Sequence, residues 1–221
     1  MRKKVYVDTT DDLSANKNVC YLLRLMMSID ASRSAYRWFQ RFTKNATGLE
    51  RTDLLMALVT MMGWTGECIR LIQKGSGGGC VRREMLGCNK GCLELWDEIH
   101  AKPTPKLIAK FYRMRNKCFA HWDLEIAERF LQRLHKESDE IAFVETGEDA
   151  KSLDSRFPWV CEAIAGDLLN AAPGDADRPE AVEEWGELLL EIGKFIGEMT
   201  ALAQELGVAI LRKEGLERRE S

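Results

Sequence analysis

Residues 49–74 read LERTDLLMALVTMMGWTGECIRLIQK. Leu54, Leu55, Leu58, Met61, Met62, Trp64, Ile69 and Ile72 recur at spacings that place apolar side chains nearly all round a helix. Such a helix belongs at the centre of a bundle or at an interface. The stretch before it, from about Ala15 to Lys44, predicts a partner helix. There Val19, Leu22, Leu23, Met26, Ala35, Trp38, Phe39 and Phe42 keep helical spacing, and Asn45-Ala46-Thr47-Gly48 ends the run. Its other face carries Arg33, Arg37 and Arg41 at i, i+4 and i+8.

After the central helix, Gly75-Ser76-Gly77-Gly78-Gly79 reads as a flexible connector. It lacks the Gly-Lys-Ser/Thr ending of a phosphate-binding P-loop. A third helix is predicted from about Val81 to His100, and Pro103-Thr104-Pro105 breaks the chain before a fourth. The fourth carries Leu107, Ile108, Phe111, Tyr112, Met114, Cys118 and Phe119, and a fifth segment spans Glu125 to Lys136. Residues 137–157 read as an acidic loop with a short strand at Ile141-Ala142-Phe143-Val144; another short strand is expected at Val5-Tyr6-Val7. A helix from about Trp159 to Asn170 follows, then a long final helix with Asp177 as N-cap and Pro179 in its first turn. In that helix Trp185, Leu188, Ile192, Phe195, Met199, Leu202 and Leu206 step by threes and fours. This seam fits either packing on the chain's own bundle or dimerisation.

These elements predict an all-α protein, an up-and-down helical bundle over 1–136. An acidic loop and helical C-terminal extension over 137–221 would pack on the same bundle. No apolar run approaches the roughly 20 residues of a membrane span. Met1-Arg2-Lys3-Lys4-Val5 is not followed by an apolar signal region. The seven cysteines are scattered and odd in number, which fits free thiols and a cytoplasmic location.

Charge is unevenly spread. Residues 137–191 hold sixteen acidic and three basic residues, a net of −13, whereas residues 1–136 hold 24 basic and 14 acidic, a net of +10. From Ala101 to Trp122 there is no acidic residue, while Lys102, Lys106, Lys110, Arg113, Arg115 and Lys117 are cationic. A basic segment of this kind suits a polyanion such as RNA. It also contains His121, six positions after Arg115. Imidazole exchanges protons near neutral pH, and a guanidinium holds a phosphate and spreads its developing charge. Together they are minimal equipment for cleaving a phosphodiester without a metal or other cofactor.

Arg115-Asn116-Lys117-Cys118-Phe119-Ala120-His121 resembles the R-x(4–6)-H signature of HEPN domains, with the polar residue that often follows the arginine. The wording RNKCFAHWD is most similar to the abortive-infection branch of that family, and the likeness extends over residues 17–136. The resemblance implies a HEPN-like bundle and a ribonuclease acting in a toxin–antitoxin pair or in phage defence. His121 would be general acid or base, Arg115 would stabilise the scissile phosphate, and Asn116 would orient one or the other. It also implies a homodimer with both motifs facing one cleft. Arg115 and His121 alone would lie about 120° apart on an ideal helix. Arg33, Arg37, Arg41, Lys110, Arg113 and Lys117 are the candidate phosphate contacts. The chain departs from some family toxins at Asp123, where they carry a tyrosine that a partner nucleotidyltransferase modifies; an antitoxin here would work otherwise. Two other readings stand beside this one. The chain could be a catalytically silent HEPN-like module that binds RNA or a protein. It could instead be a helical adaptor holding zinc through Cys88, Cys92, Cys118 and His121.

Overall fold

A computed structural model describes the backbone of residues 6–7, 16–42, 50–87, 89–119, 145–146, 155–156 and 179–218, with side chains at 16–40, 57–87, 89–116 and 186–216. The described chain is all-α. Helix α1 spans Lys17–Phe42 and α2 spans Glu50–Gly77. Asn16 caps α1, its Oδ1 accepting from Asn18 N at 3.0 Å and Val19 N at 3.1 Å. Leu22, Leu25, Ile29, Ala35 and Phe39 form the buried stripe of α1. The two helices run antiparallel, since Tyr21 Oη donates to Leu71 O at 3.1 Å while Ser32 Oγ lies 2.7 Å from Thr65 Oγ1. That hydroxyl pair is buried: Thr65 Oγ1 donates to Met61 O at 2.8 Å, which leaves the single Ser32 proton to donate to Thr65 Oγ1, so the polar groups are satisfied within the core.

The glycine run is not a loose connector at its start. Helix α2 continues through it to Gly77. Gly75 is buried against the Tyr21 ring, and a Cβ there would lie 2.6 Å from Tyr21 Oη. The chain then winds tightly, Cys80 N donating to Gly75 O at 2.8 Å, with Gly79 at a φ of +72°. The predicted third helix also starts later than its apolar pattern indicates. Arg83–Leu86 form a short 3-10 turn and Gly87 has a φ of +55°. Asn89 then caps α3, Lys90–His100, accepting from Cys92 N at 3.3 Å. Helix α4, Lys106–Arg113, follows Pro105 and widens into a π-helical stretch, Met114–Phe119. The long final helix α5 spans Pro179–Lys213.

Helix α5 answers the question its seam raised. Leu188, Ile192, Phe195, Met199, Leu202 and Leu206 are all buried within the one chain, where α5 packs on α1, α3 and the turn at 83–86. Ala57, Leu58, Met61, Met62, Ile69 and Ile72 of α2 are buried as thoroughly. These surfaces are therefore used inside the bundle and lend no support to a dimer. Helix α5 is antiparallel to α1: Asn16 and Asn18 donate to Glu214 at 2.8 and 2.7 Å, and Gly193 abuts Tyr36. Close by, β1 (Tyr6–Val7) pairs antiparallel with β4 (Glu217–Arg218). A second two-residue ladder joins β2 (Glu145–Thr146) to β3 (Ser155–Arg156). Segments 125–136, 137–144 and 159–170, and the N-cap at Asp177, lie outside the described residues. Among the described residues no helix is long and apolar enough to cross a membrane.

Candidate functional site

Arg115 sits one residue into the π-helical stretch, where α4 lies against α2. Gly66 permits that approach. A Cβ there would lie 2.6 Å from Phe111 O and 3.0 Å from Arg115 Cβ. Replacing Gly66 by alanine would add about 1 kcal/mol of intrinsic helix propensity. The obstructing atom is a backbone carbonyl, however, and overpacking costs about 1–3 kcal/mol. Gly66→Ala is therefore expected to lower the denaturation midpoint, and it should displace Arg115. A more stable variant would show that α4 moves away freely.

Across that contact Glu67 binds two guanidinium groups. Its Oε2 accepts from Arg115 Nε at 2.8 Å and from Arg70 Nε at 2.9 Å, and its Oε1 accepts from Arg70 Nη2 at 2.5 Å. The Glu67 side chain is 16% exposed and that of Arg115 26%. The Arg70 hydrogen bonds above all, with the one from Arg115, outweigh burial and hold the Glu67 carboxyl at about 2. Glu67 is thus a fixed anion at neutral pH and no proton carrier. Arg115 Nη1 donates to Asn116 Oδ1 at 2.5 Å, so Asn116 and Glu67 set the plane of the guanidinium from two sides. One turn back, Tyr112 Oη donates to Gln73 Oε1, and Gln73 Nε2 donates to Ile99 O at 2.6 Å. Burial raises the Tyr112 phenol above its ordinary range.

The depressed carboxyl gives a pH prediction. An unfolded glutamate titrates near about 4.3, so the stability Glu67 contributes is complete above that pH. It is lost as pH falls toward 2, the folded value. Thermal unfolding followed from pH 6 to pH 2 should therefore fall less steeply in Glu67→Gln than in wild type. Parallel curves would mean that the network contributes no net stability.

Arg115 also lines a cleft of about 400 Å³ between α1 and α2, with Arg24, Met27, Trp64, Glu67 and Leu71 among its walls. The structure thus brings Arg115 and Asn116 together and adds Glu67, Arg24 and Trp64. It does not bring the arginine stripe of α1 to this cleft. Arg33 is nine residues from Arg24, about 180° round the helix, and pairs with Asp30 at 3.4 Å; Arg37 is exposed. Lys110 and Arg113 are half-buried on α4. The side chains of Arg41 and Lys117, and all of His121, lie outside the described residues. The 120° separation expected of Arg115 and His121 is that of an ideal α-helix; Met114–Phe119 are π-helical, and His121 lies outside the described residues, as does its placement relative to Arg115.

Of the possible zinc ligands, Cys92 is buried with its thiol raised by burial, and Cys88, Cys118 and His121 are not described. Among the described residues no group of three or more His, Cys, Asp or Glu side chains converges. Glu67 did leave a trace in the sequence, as the only acidic residue between Leu54 and Arg83, with Arg70 three positions on. A lone carboxylate in so apolar a helix needs a cationic partner. Compared with protein-family profiles, curated proteins and solved structures, the chain matches none.

Proposed function

We propose that the chain is a metal-independent endoribonuclease of HEPN type, a toxin or phage-defence effector working in the cytoplasm. The observation that carries this reading is the setting of Arg115. It lines a cleft, its guanidinium is oriented by Glu67 and Asn116, and it belongs to a segment with no acidic residue from Ala101 to Trp122. In the reaction the ribose 2′-oxygen attacks phosphorus and the bond to the 5′-oxygen breaks. One general base takes the 2′-hydroxyl proton and one general acid protonates the leaving 5′-oxygen. His121 fills one of these roles, and Arg115 stabilises the charge added to the phosphate. Glu67, held at about 2, is excluded from both. The products carry a 2′,3′-cyclic phosphate and a 5′-hydroxyl, and DNA is inert.

A homodimer, and a protein antitoxin, belong to the same reading. Leu23, Met27 and Trp38, 47–63% exposed and within about 60° of each other round α1, supply apolar surface for a partner. The deciding experiment incubates purified protein with single-stranded RNAs in EDTA and looks for cyclic-phosphate ends. RNA left intact, or cleavage that needs an added metal, would sink the proposal. One observation favours the silent binding module instead: Glu67 already occupies the Nε edge of Arg115, so that arginine has a structural task without catalysis. RNA bound but never cut would decide for it.

A further inference from the structure

We infer that the groove between α1 and α2 carries the phosphate backbone of single-stranded RNA outward from Arg115, with Arg24, Lys17 and Lys74 as its contacts. The inference gives a path to the substrate proposed above and rests on that reading, but not on cleavage. Its first support is geometric. Residues seven apart on a helix return to within about 20° of one face. Lys17 is seven positions before Arg24 on α1, and Lys74 is seven beyond Glu67 on α2. Arg24 and Glu67 line the α1 and α2 walls of the cleft, and the helices are antiparallel, so both walls continue toward the same end of the bundle. Tyr21 Oη donates to Leu71 O at 3.1 Å and keeps the two helices in contact along that length. At 1.5 Å per residue the track extends about 10 Å beyond the cleft, the span of about three stacked nucleotides.

Its second support is charge. Lys17, Arg24 and Lys74 are exposed, and no carboxylate among the described residues pairs with them. Glu67, the carboxylate among the walls of the cleft, is already bonded to Arg70 and Arg115. Beyond the far end Glu214 takes hydrogen bonds from Asn16 and Asn18, one on each oxygen. The outer faces of α3 and α5 are the reverse. Glu94, Glu187, Glu191, Glu198 and Glu205 are exposed there, and Lys90 and Lys194 lie 3.7 and 3.8 Å from Glu94 and Glu198. This asymmetry steers a polyanion to the groove. The third support is the floor of the groove past the cleft, which is filled. A Cβ on Gly75 would lie 2.6 Å from Tyr21 Oη, and Leu71 is buried. An acidic protein segment would need pockets there for its anchoring side chains, whereas a phosphate strand needs only surface cations at intervals.

The test uses the full chain carrying His121→Ala, so that RNA persists, and follows binding of a short single-stranded oligomer as salt is raised. Each phosphate contact on a single strand contributes about 0.7 to the slope of log affinity against log salt. Lys17→Ala, Arg24→Ala and Lys74→Ala together should therefore flatten that slope by about two units, and each alone by about 0.7. Lys90→Ala combined with Lys194→Ala, on the acidic faces, should leave it unchanged. Circular dichroism checks that each variant is folded; should the triple variant fail to fold, the single variants decide. The inference is overturned by an unchanged slope in the folded variants or by comparable flattening in the Lys90 and Lys194 pair. It is equally overturned by a polyglutamate peptide that binds as tightly as the oligomer and is weakened by the same three substitutions. Failure here with EDTA-resistant cleavage by wild type leaves the nuclease standing. The expected slopes without cleavage remove the nuclease and keep the track.

Discussion

Alanine at Arg115 is expected to slow RNA cleavage by about 10²- to 10³-fold, the usual consequence of removing one donor to a developing oxyanion. Alanine at His121 should cost about 10²- to 10⁴-fold, the range for a lost general acid or base. Neither change should unfold the protein. Arg115→Ala removes one hydrogen bond from Glu67, but the carboxylate keeps both bonds to Arg70 and is not left as an unpaired buried charge. Arg115→Lys should rescue little, because an ammonium cannot reproduce a guanidinium fork that spans Glu67 on one edge and Asn116 on another.

Glu67→Gln separates positioning from chemistry. Its carboxylate is fully ionised at working pH and moves no proton. The variant should therefore keep the wild-type pH profile near neutrality while kcat falls by about ten- to a hundred-fold as Arg115 loses its anchor. A Glu67→Gln profile that shifts in pH would instead give the carboxylate a direct part in proton transfer. Wild-type rates in both Arg115→Ala and His121→Ala, with circular dichroism unchanged, would remove the assigned pair altogether.

How far the molecule could be read from its sequence depended on the range of the interaction that decides each feature. Period-3.6 apolar patterning placed α1 at about 15–44 against an observed Lys17–Phe42, and α2 at about 49–74 against Glu50–Gly77. Burial of a helical face is a local signal, because each turn carries its own share. The misses come from contacts between distant positions. Gly75 ends no helix because Tyr21, 54 positions earlier, occupies the space a side chain would take. Glu67 met Arg115 across 48 positions, and pattern alone cannot pair two charges that far apart. The π-helical stretch Met114–Phe119 begins beside the close helix contact at Gly66, which no local pattern announces. The seam of α5 shows the same limit. Its period was legible, but a row of buried leucines looks alike whether α1 and α3 or a second chain covers it. The site is split likewise: Arg115 and Asn116 are neighbours in sequence and were read together, whereas Arg24, Trp64 and Glu67 reach the cleft only through the packing of α1 on α2.

Phe111→Ala is expected to cost about 3–5 kcal/mol of folding stability, the largest loss from any single substitution considered. Helix α4 spans only Lys106–Arg113, too short to persist on propensity, so it depends on what it buries. Leu107, Ile108, Phe111 and, just beyond, Met114 are its buried residues, and Phe111 is the largest of them at 0% exposure. Its ring lies 4.9 Å from that of Phe195 at an angle of 40°, an aromatic pair that joins α4 to α5. Truncation leaves a phenyl-sized void beside Phe195, which is itself buried in the seam of α5. Against a typical total of about 5–15 kcal/mol, that loss should be plain in a urea or guanidinium titration. Phe111→Leu, which keeps much of the volume, should lose well under half as much. In a double-mutant cycle with Phe195→Ala, the two rings should couple by about 0.5–1.5 kcal/mol. Arg115 lies four residues beyond Phe111, so cleavage should fall in Phe111→Ala even at temperatures where the variant remains folded. A change in midpoint worth less than about 1 kcal/mol would mean that α4 is held to the bundle by the Tyr112–Gln73 and Arg115–Glu67 bonds, with the aromatic pair secondary.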